Sequence, residues 1–162
     1  MNEKTLFLLA AALALGSCLL LPRTRLEVVL YEAIDPRVSW APGSIKVERA
    51  TMETEIARLA AEALLPLAHR CALPLSDPGE PDGLRLDIDI VEREFTRGLD
   101  TLNSISYTAS LRDGRSGRLL AQTIYCEESQ ETIASSYRLY AISEKVLKSL
   151  AVKLSKQPKG GS

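Results

Sequence analysis

Apolar and polar positions divide the chain into an uncharged leader and a folded unit. From Thr5 to Pro22 no charged side chain occurs. After it, Leu26-Glu27-Val28-Val29-Leu30-Tyr31 is rich in β-branched and apolar residues, is stopped by Asp35-Pro36, and predicts a strand. Ala41-Pro42-Gly43-Ser44 reads as a turn, followed by a short extended piece over Ile45–Glu48. Thr51 is placed to cap a helix with Glu53 and Glu55 in its first turn, where they complement the helix dipole. Ile56, Leu59, Ala60, Ala63, Leu64 and Leu67 recur at spacings of three and four and form one apolar face. Pro66 should end or kink this helix near His69.

The proline- and glycine-rich stretch from Leu73 to Gly83 predicts a loop. Leu84, Leu86, Ile88 and Ile90 then alternate with Arg85, Asp87 and Asp89, the period of a half-buried strand with one wet face. The chain turns at Arg97-Gly98 and alternates again from Ser104 to Leu111. Asp113-Gly114 and Ser116-Gly117 mark a hairpin into Leu119–Cys126. A last helix from about Ser136 carries Leu139, Ile142, Val146, Leu150 and Leu154 on one stripe. The expected order is β-α-β-β-β-α. It predicts an α+β two-layer sandwich: two amphipathic helices packed on one face of a mainly antiparallel four-stranded sheet. The later three strands form a meander, and the first, separated from them by a helix, can pair parallel to one of them. Residues 26–155 make the single domain, and the aperiodic tail 156–162 is expected to be disordered.

The leader changes the functional picture. Met1-Asn2-Glu3-Lys4, the apolar core, and the small residues before Cys18 follow the order of a secretory signal peptide. Leu15-Gly16-Ser17-Cys18 resembles the lipobox of bacterial lipoproteins, in which the cysteine is diacylated and becomes the new amino terminus. That resemblance implies removal of residues 1–17, lipidation at Cys18 and a short tether over residues 18–25. It also implies the outer membrane, facing the periplasm, because Leu19 stands where aspartate would retain a lipoprotein in the inner membrane. The alternative is an uncleaved signal anchor holding a periplasmic domain. Its run from Thr5 to Pro22 is 18 residues, somewhat under the roughly 20 that span a bilayer.

Composition narrows the function classes. The chain has 162 residues, 46% of them apolar, with 20 basic and 21 acidic side chains for a net charge of −1. That balance excludes a basic nucleic-acid binder, and the apolar content excludes a wholly disordered chain. A single histidine and three cysteines remove most zinc frameworks. No Gly-x-Ser-x-Gly elbow occurs, and a hydrolase would need a cleft joining His69 to a serine and a carboxylate. The expectation is therefore not an enzyme, with no metal and no cofactor.

Individual side chains carry two readings each. Asp87 and Asp89, with Glu92 and Glu94 nearby, could hold a divalent metal or form an acid–base pair. The plainer reading is a solvated strand face balanced by Arg85 and Arg93. His69, followed by Arg70, suits the C-terminal end of a helix. Cys71 and Cys126 are candidates for a disulfide in an oxidising compartment, closing a loop of about 55 residues and stabilising by ~4 kcal/mol in the chain-entropy model. The alternative is two separate buried thiols. Arg112, Arg115 and Arg118 flank a hairpin tip that could contact lipid headgroups or a partner, or simply keep a turn soluble. Trp40 and Tyr31 could cap a pocket or fill the edge of a small core.

With its lipobox and strand–helix–strands–helix order, the chain resembles small envelope lipoproteins that serve larger assemblies, such as the lipopolysaccharide-assembly lipoprotein and the auxiliary lipoproteins of ABC-type lipid transporters. The segment Leu111–Leu120 is similar to a strand, Asp, turn, Gly, strand hairpin common among them. The resemblance implies a membrane-anchored, non-enzymatic accessory or binding subunit of an envelope assembly or lipid-transport complex. Its partners would be the membrane, through the acyl chains, and a protein of the envelope. A second reading is a lipoprotein that encloses a small apolar ligand; an internal pocket would favour it, and a filled core would favour the first.

Overall fold

A computed structural model describes residues 24–35, 38–76 and 83–157. The expected signal peptide over residues 1–17, the expected lipidation site Cys18 and residues 158–162 lie outside the described residues. Among the described residues five strands and two helices follow one another: β1 (Thr24–Leu30), β2 (Trp40–Glu48), α1 (Glu53–Arg70), β3 (Leu84–Arg97), β4 (Asp100–Asp113), β5 (Leu119–Ser129) and α2 (Ser136–Ser155). The strands form one mixed sheet in the order β1-β5-β4-β3-β2. Both helices pack on one of its faces, α1 over β2 and α2 over β4, β5 and β1.

The α+β layering and the β3-β4-β5 antiparallel meander agree with the sequence reading. The strand count does not: the sheet has five strands, and the added one is β2. Pro42-Gly43 predicted a turn, yet the strand runs through both and shifts register between Pro42 and Ile45. β2 is an edge strand, where a proline without an N–H is tolerated and a bulge absorbs the extra residue. This also corrects the parallel pairing. The strand directly ahead of α1 is β2, so the crossover makes β2 parallel to β3. β1 reaches β2 without an intervening helix and pairs antiparallel with β5, from Thr24–Glu127 to Leu30–Ala121.

Strand parity decides what is buried. On β3, Leu86, Ile88 and Ile90 face the helices; on β4, Ile105, Tyr107, Ala109 and Leu111 do the same. Ile56, Ala60, Leu64 and Leu67 of α1 meet them, with Leu139, Ile142, Val146, Leu147 and Leu150 of α2. Trp40 is fully buried in this core, whereas Tyr31 is exposed at the surface.

The helix ends differ from expectation in detail. Met52, in the left-handed region (φ 64°), stands at the N-cap of α1, and no side chain caps it. The backbone N–H of Arg49 instead donates to the Glu53 carboxylate at 3.1 Å. Pro66 neither ends nor shortens the helix, which runs on to Arg70. Its ring is on the exposed side, where water can satisfy the carbonyl it leaves free. Left-handed Ala72 terminates the turn, with Leu73 N–H donating to Ala68 O at 2.9 Å. On α2, the Ser135 hydroxyl accepts from Arg138 N–H at 3.2 Å as an N-cap. Two residues of the expected disordered tail are ordered: Lys156 closes α2, and the Gln157 side chain accepts from Ile34 N–H at 3.2 Å.

Candidate functional surface

The polar chemistry of the domain concentrates in two buried carboxylates, a hairpin, and one face of α2. Glu92 continues the inward parity of β3 past Ile90 and is 5% exposed. Its Oε1 accepts from Ile133 N–H at 2.8 Å, and its Oε2 accepts from Thr132 Oγ1 at 3.1 Å and from Arg49 Nε in a close ion pair. Arg49 is satisfied in turn by Thr132 Oγ1 at 2.8 Å and Thr51 O at 3.1 Å. This cluster ties the β2–α1 connection, β3 and the β5–α2 connection together. A surface hollow of about 540 Å³ opens beside it, lined by residues from Arg49 to Glu55.

Asp87 has the opposite parity and lies on the sheet face without helices, yet it is only 6% exposed. Ser44 donates to its Oδ1 through the backbone N–H at 2.8 Å and the hydroxyl at 3.1 Å. Arg85 approaches within 3.2 Å and Arg112 within 3.4 Å. Gly43 makes this approach geometrically open: a Cβ there would stand 2.2 Å from Asp87 Oδ1 and 2.9 Å from the Leu86 carbonyl. Asp87 thus clamps the β2 bulge to the sheet. Arg93 pairs with Glu48 at 2.7 Å rather than with Asp87 or Asp89. Among the described residues no group of three or more His, Cys, Asp or Glu is placed to hold a metal.

The hairpin arginines are engaged within the domain. Arg112 reaches Asp87 and donates to Gly117 O at 3.1 Å, Arg118 pairs with Glu32 at 2.7 Å, and Arg115 also has an interaction partner. Asp113 accepts from Ser116 N–H and Oγ, both at 2.7 Å, which holds its carboxyl below the usual range and fixes the turn. By register, this hairpin lies at the Leu30 end of the sheet, opposite the end where β1 begins.

The disulfide reading is corrected: Cys71 and Cys126 are both free. Cys126 is on the open sheet face against Ser106 Oγ at 3.9 Å, whereas Cys71, at the end of α1, faces Glu144 O of α2 at 4.0 Å. The sheet separates them. Burial pushes the Cys71 thiol up, aided by Glu144. His69 makes a structural contact, its Nε2 lying 2.8 Å from Leu75 O, which fixes the chain after α1.

The exposed side of α2 differs from every other charged region. Among the described residues arginine supplies the ion pairs, from Arg25–Glu27 on β1 to Arg138–Glu127 on α2. Among the described residues no lysine takes part in one. Lys145 lies over the Tyr125 ring, 5.0 Å from its centroid. Lys148, Lys153 and Lys156 surround a groove of about 320 Å³ between α2 and β1, completed by Val28, Ser149 and Val152. Val152 is 45% exposed at its floor.

No protein-family model matches the chain, and no curated protein matches it in sequence. Its fold is similar to that of the PelC dodecamer from Paraburkholderia phytofirmans, with TM-score 0.53 at 9% identity over 84% of this chain and 100% of that one. Weaker matches among solved structures include bacterial lipoproteins. Lipoprotein GNA1162 from Neisseria meningitidis gives TM-score 0.41 at 14% identity over 74% and 99% of the two chains. A minor lipoprotein from Acinetobacter baumannii gives 0.37 at 15% over 74% and 90%. At such identities the likeness to PelC is one of fold, and the two weaker ones carry no argument.

Two of these features had signals in the sequence. Glu92 sits in step with Leu84, Leu86, Ile88 and Ile90, so its parity alone places it on the covered face. The lysines at 145, 148, 153 and 156 flank the apolar stripe of α2, but nothing in the sequence distinguishes them from paired surface charges. The buried state of Asp87 depends on the bulge at Gly43, where the local Pro-Gly preference is for a turn.

Proposed function

We propose that the chain is an envelope lipoprotein, acylated at Cys18 after removal of residues 1–17. Its domain, residues 26–155, is a non-enzymatic accessory or binding subunit of an envelope assembly or lipid-transport complex, held at the outer membrane and facing the periplasm. The observation that carries this reading is the place of Leu15-Gly16-Ser17-Cys18: it lies within the uncharged run from Thr5 to Pro22, and Cys18 stands six residues ahead of Thr24, where the edge strand begins. Two or three acyl chains give stable anchoring, and anchoring raises the effective concentration of the domain at a membrane partner, so modest intrinsic affinity suffices.

The packing favours a protein partner over an enclosed apolar ligand. Fully buried Ile56, Leu67, Ile88, Ile105 and Leu139 fill the space between sheet and helices, and the two hollows described above open at the surface. The open sheet face and the two sheet edges offer surface to such a partner. The solution of PelC as a dodecamer supports an assembly role for this fold.

The test is metabolic labelling with a radioactive fatty acid such as palmitate during expression in a bacterium. The wild-type chain should take up label and Cys18→Ser should take up none. Label that persists in Cys18→Ser would refute the acylation site, and an unlabelled wild-type chain in the soluble fraction would refute the anchored reading altogether.

A further inference from the structure

We infer that the groove between α2 and β1, with Lys148, Lys153 and Lys156 around it, is a docking face for an anionic phospholipid surface. The inference rests on the anchored reading above and adds an orientation: the domain lies on its β1–α2 edge, with its lysines against the headgroups.

Three observations converge on this face. The first is the division of labour between the cations. Arginine forks pair with carboxylates throughout the domain, whereas Lys148, Lys153 and Lys156 are exposed and without an ion-pair partner. An ammonium on a flexible stem suits a mobile layer of phosphates better than a fixed bidentate partner does. Three such charges near an anionic leaflet strengthen association by on the order of a hundredfold. The second is the groove floor. Val28 and Val152 offer apolar surface between the ammonium groups, the arrangement of an interfacial helix whose stems lie along the acyl boundary.

The third is reach. Cys18 is six residues from Thr24, at most about 20 Å of extended chain, so an acylated domain cannot stand far from the bilayer. Val28 is four residues further along β1, about 13 Å from Thr24 at the strand rise. The tether and the lysines therefore lie along one edge of the molecule, the tether at its Thr24 end and Lys153 and Lys156 toward its Leu30 end, so contact needs the domain to lie flat on that edge. The arginine hairpin at 112–118 lies at the Leu30 end of the sheet, near the C-terminal end of α2, but its charges are already engaged and contribute little to this contact.

The test uses the full acylated chain reconstituted into vesicles of phosphatidylcholine alone or with about 30 mol% phosphatidylglycerol. Lysines are acetylated briefly with an amine-reactive reagent and quantified by mass spectrometry, and flotation reports anchoring separately. On anionic vesicles Lys148, Lys153 and Lys156 should react at least roughly threefold more slowly than on neutral ones, with the protection lost in about 0.5 M salt. Lys46, on the opposite face of the sheet, should react equally on both. In Lys148→Glu/Lys153→Glu the protection of Lys156 should vanish while flotation and thermal melting stay unchanged. Equal reactivity on both vesicles, with the chain still floating, would overturn the docking face and leave the anchor standing. Equal protection on both vesicles would also overturn it, assigning the groove to a second copy of the chain. Failure of the chain to float at all would overturn the anchored reading and the docking face with it.

Discussion

Glu92 and Asp87 are two buried carboxylates on one strand, five positions apart and on opposite faces of the sheet, and they are buried by different means. Glu92 is enclosed by the helical layer and its connections, and Arg49, mostly buried itself, is its single charged partner. Asp87 is on the open face, covered only by a bulge of the neighbouring strand and by two arginines that remain substantially exposed. The first arrangement resists water because the protein supplies a second layer. The second holds because one residue of β2 has no side chain. Burial of a charge thus follows parity on the covered face and local backbone shape on the open one.

The sharpest way to break the comparison is to remove Glu92. Glu92→Ala leaves the Arg49 guanidinium without its carboxylate in a largely dry site and should destabilise by about 3–4 kcal/mol. Denaturant unfolding would measure it. The double change Arg49→Met/Glu92→Leu should recover much of that loss, because a well-packed apolar pair carries no desolvation cost. A double variant as unstable as Glu92→Ala would show that the loss arises from shape rather than charge.

On the open face the corresponding change is made one strand away. Gly43→Ala pushes a methyl group into Asp87 and the Leu86 carbonyl, and because the backbone oxygen cannot swing aside, it should cost about 2 kcal/mol. The same measurement on Gly98→Ala serves as a reference, since nothing lies within 4 Å of that Cβ and only the positive φ of 65° opposes it. If Gly43→Ala is no worse than Gly98→Ala, Asp87 is not held by the bulge.

The mildest distinction comes from alkali. Tyr107 is on the covered face, and burial pushes its hydroxyl up to about 12, partly offset by its hydrogen bond with Ser143. An unfolded tyrosine ionises near 10, so the unfolded chain loses this proton first as the pH rises. The stabilising contribution is therefore complete below pH 10 and is lost as the pH climbs from about 10 towards 12. Tyr125 acts in the same direction, raised by burial and by the Glu127 carboxylate that accepts its hydroxyl at 2.5 Å. Melting temperatures should fall above pH 10, and Tyr107→Phe should make the fall shallower. An identical pH profile for Tyr107→Phe would remove this phenol from the account.

Legibility along the chain followed the length scale of the interaction. Alternation over Leu84–Ile90 and the stripe from Leu139 to Leu150 are local patterns, and they placed β3 and α2 where they are found. Pro42-Gly43 misled because the local preference of that pair for a turn is overridden at a sheet edge, where a bulge costs little. The antiparallel partner of β1 was not readable, since the choice depends on β5, almost a hundred residues away. Nor was the burial of Asp87, which needs the bulge to exist before the carboxylate has anything beneath which to lie. Free lysines and paired arginines look alike in a sequence; only the positions of carboxylates in space separate them.

The pairing of β1 with β5 has a consequence for how the molecule comes into being. β1 is completed by β5, so the sheet gains this edge only after β2, α1, β3 and β4 have been synthesised. Until then Leu26, Val28 and Leu30 have no partner strand, and contacts of such long sequence separation form slowly. Folding therefore includes an interval in which the apolar side of β1 stays uncovered until β5 and α2 arrive.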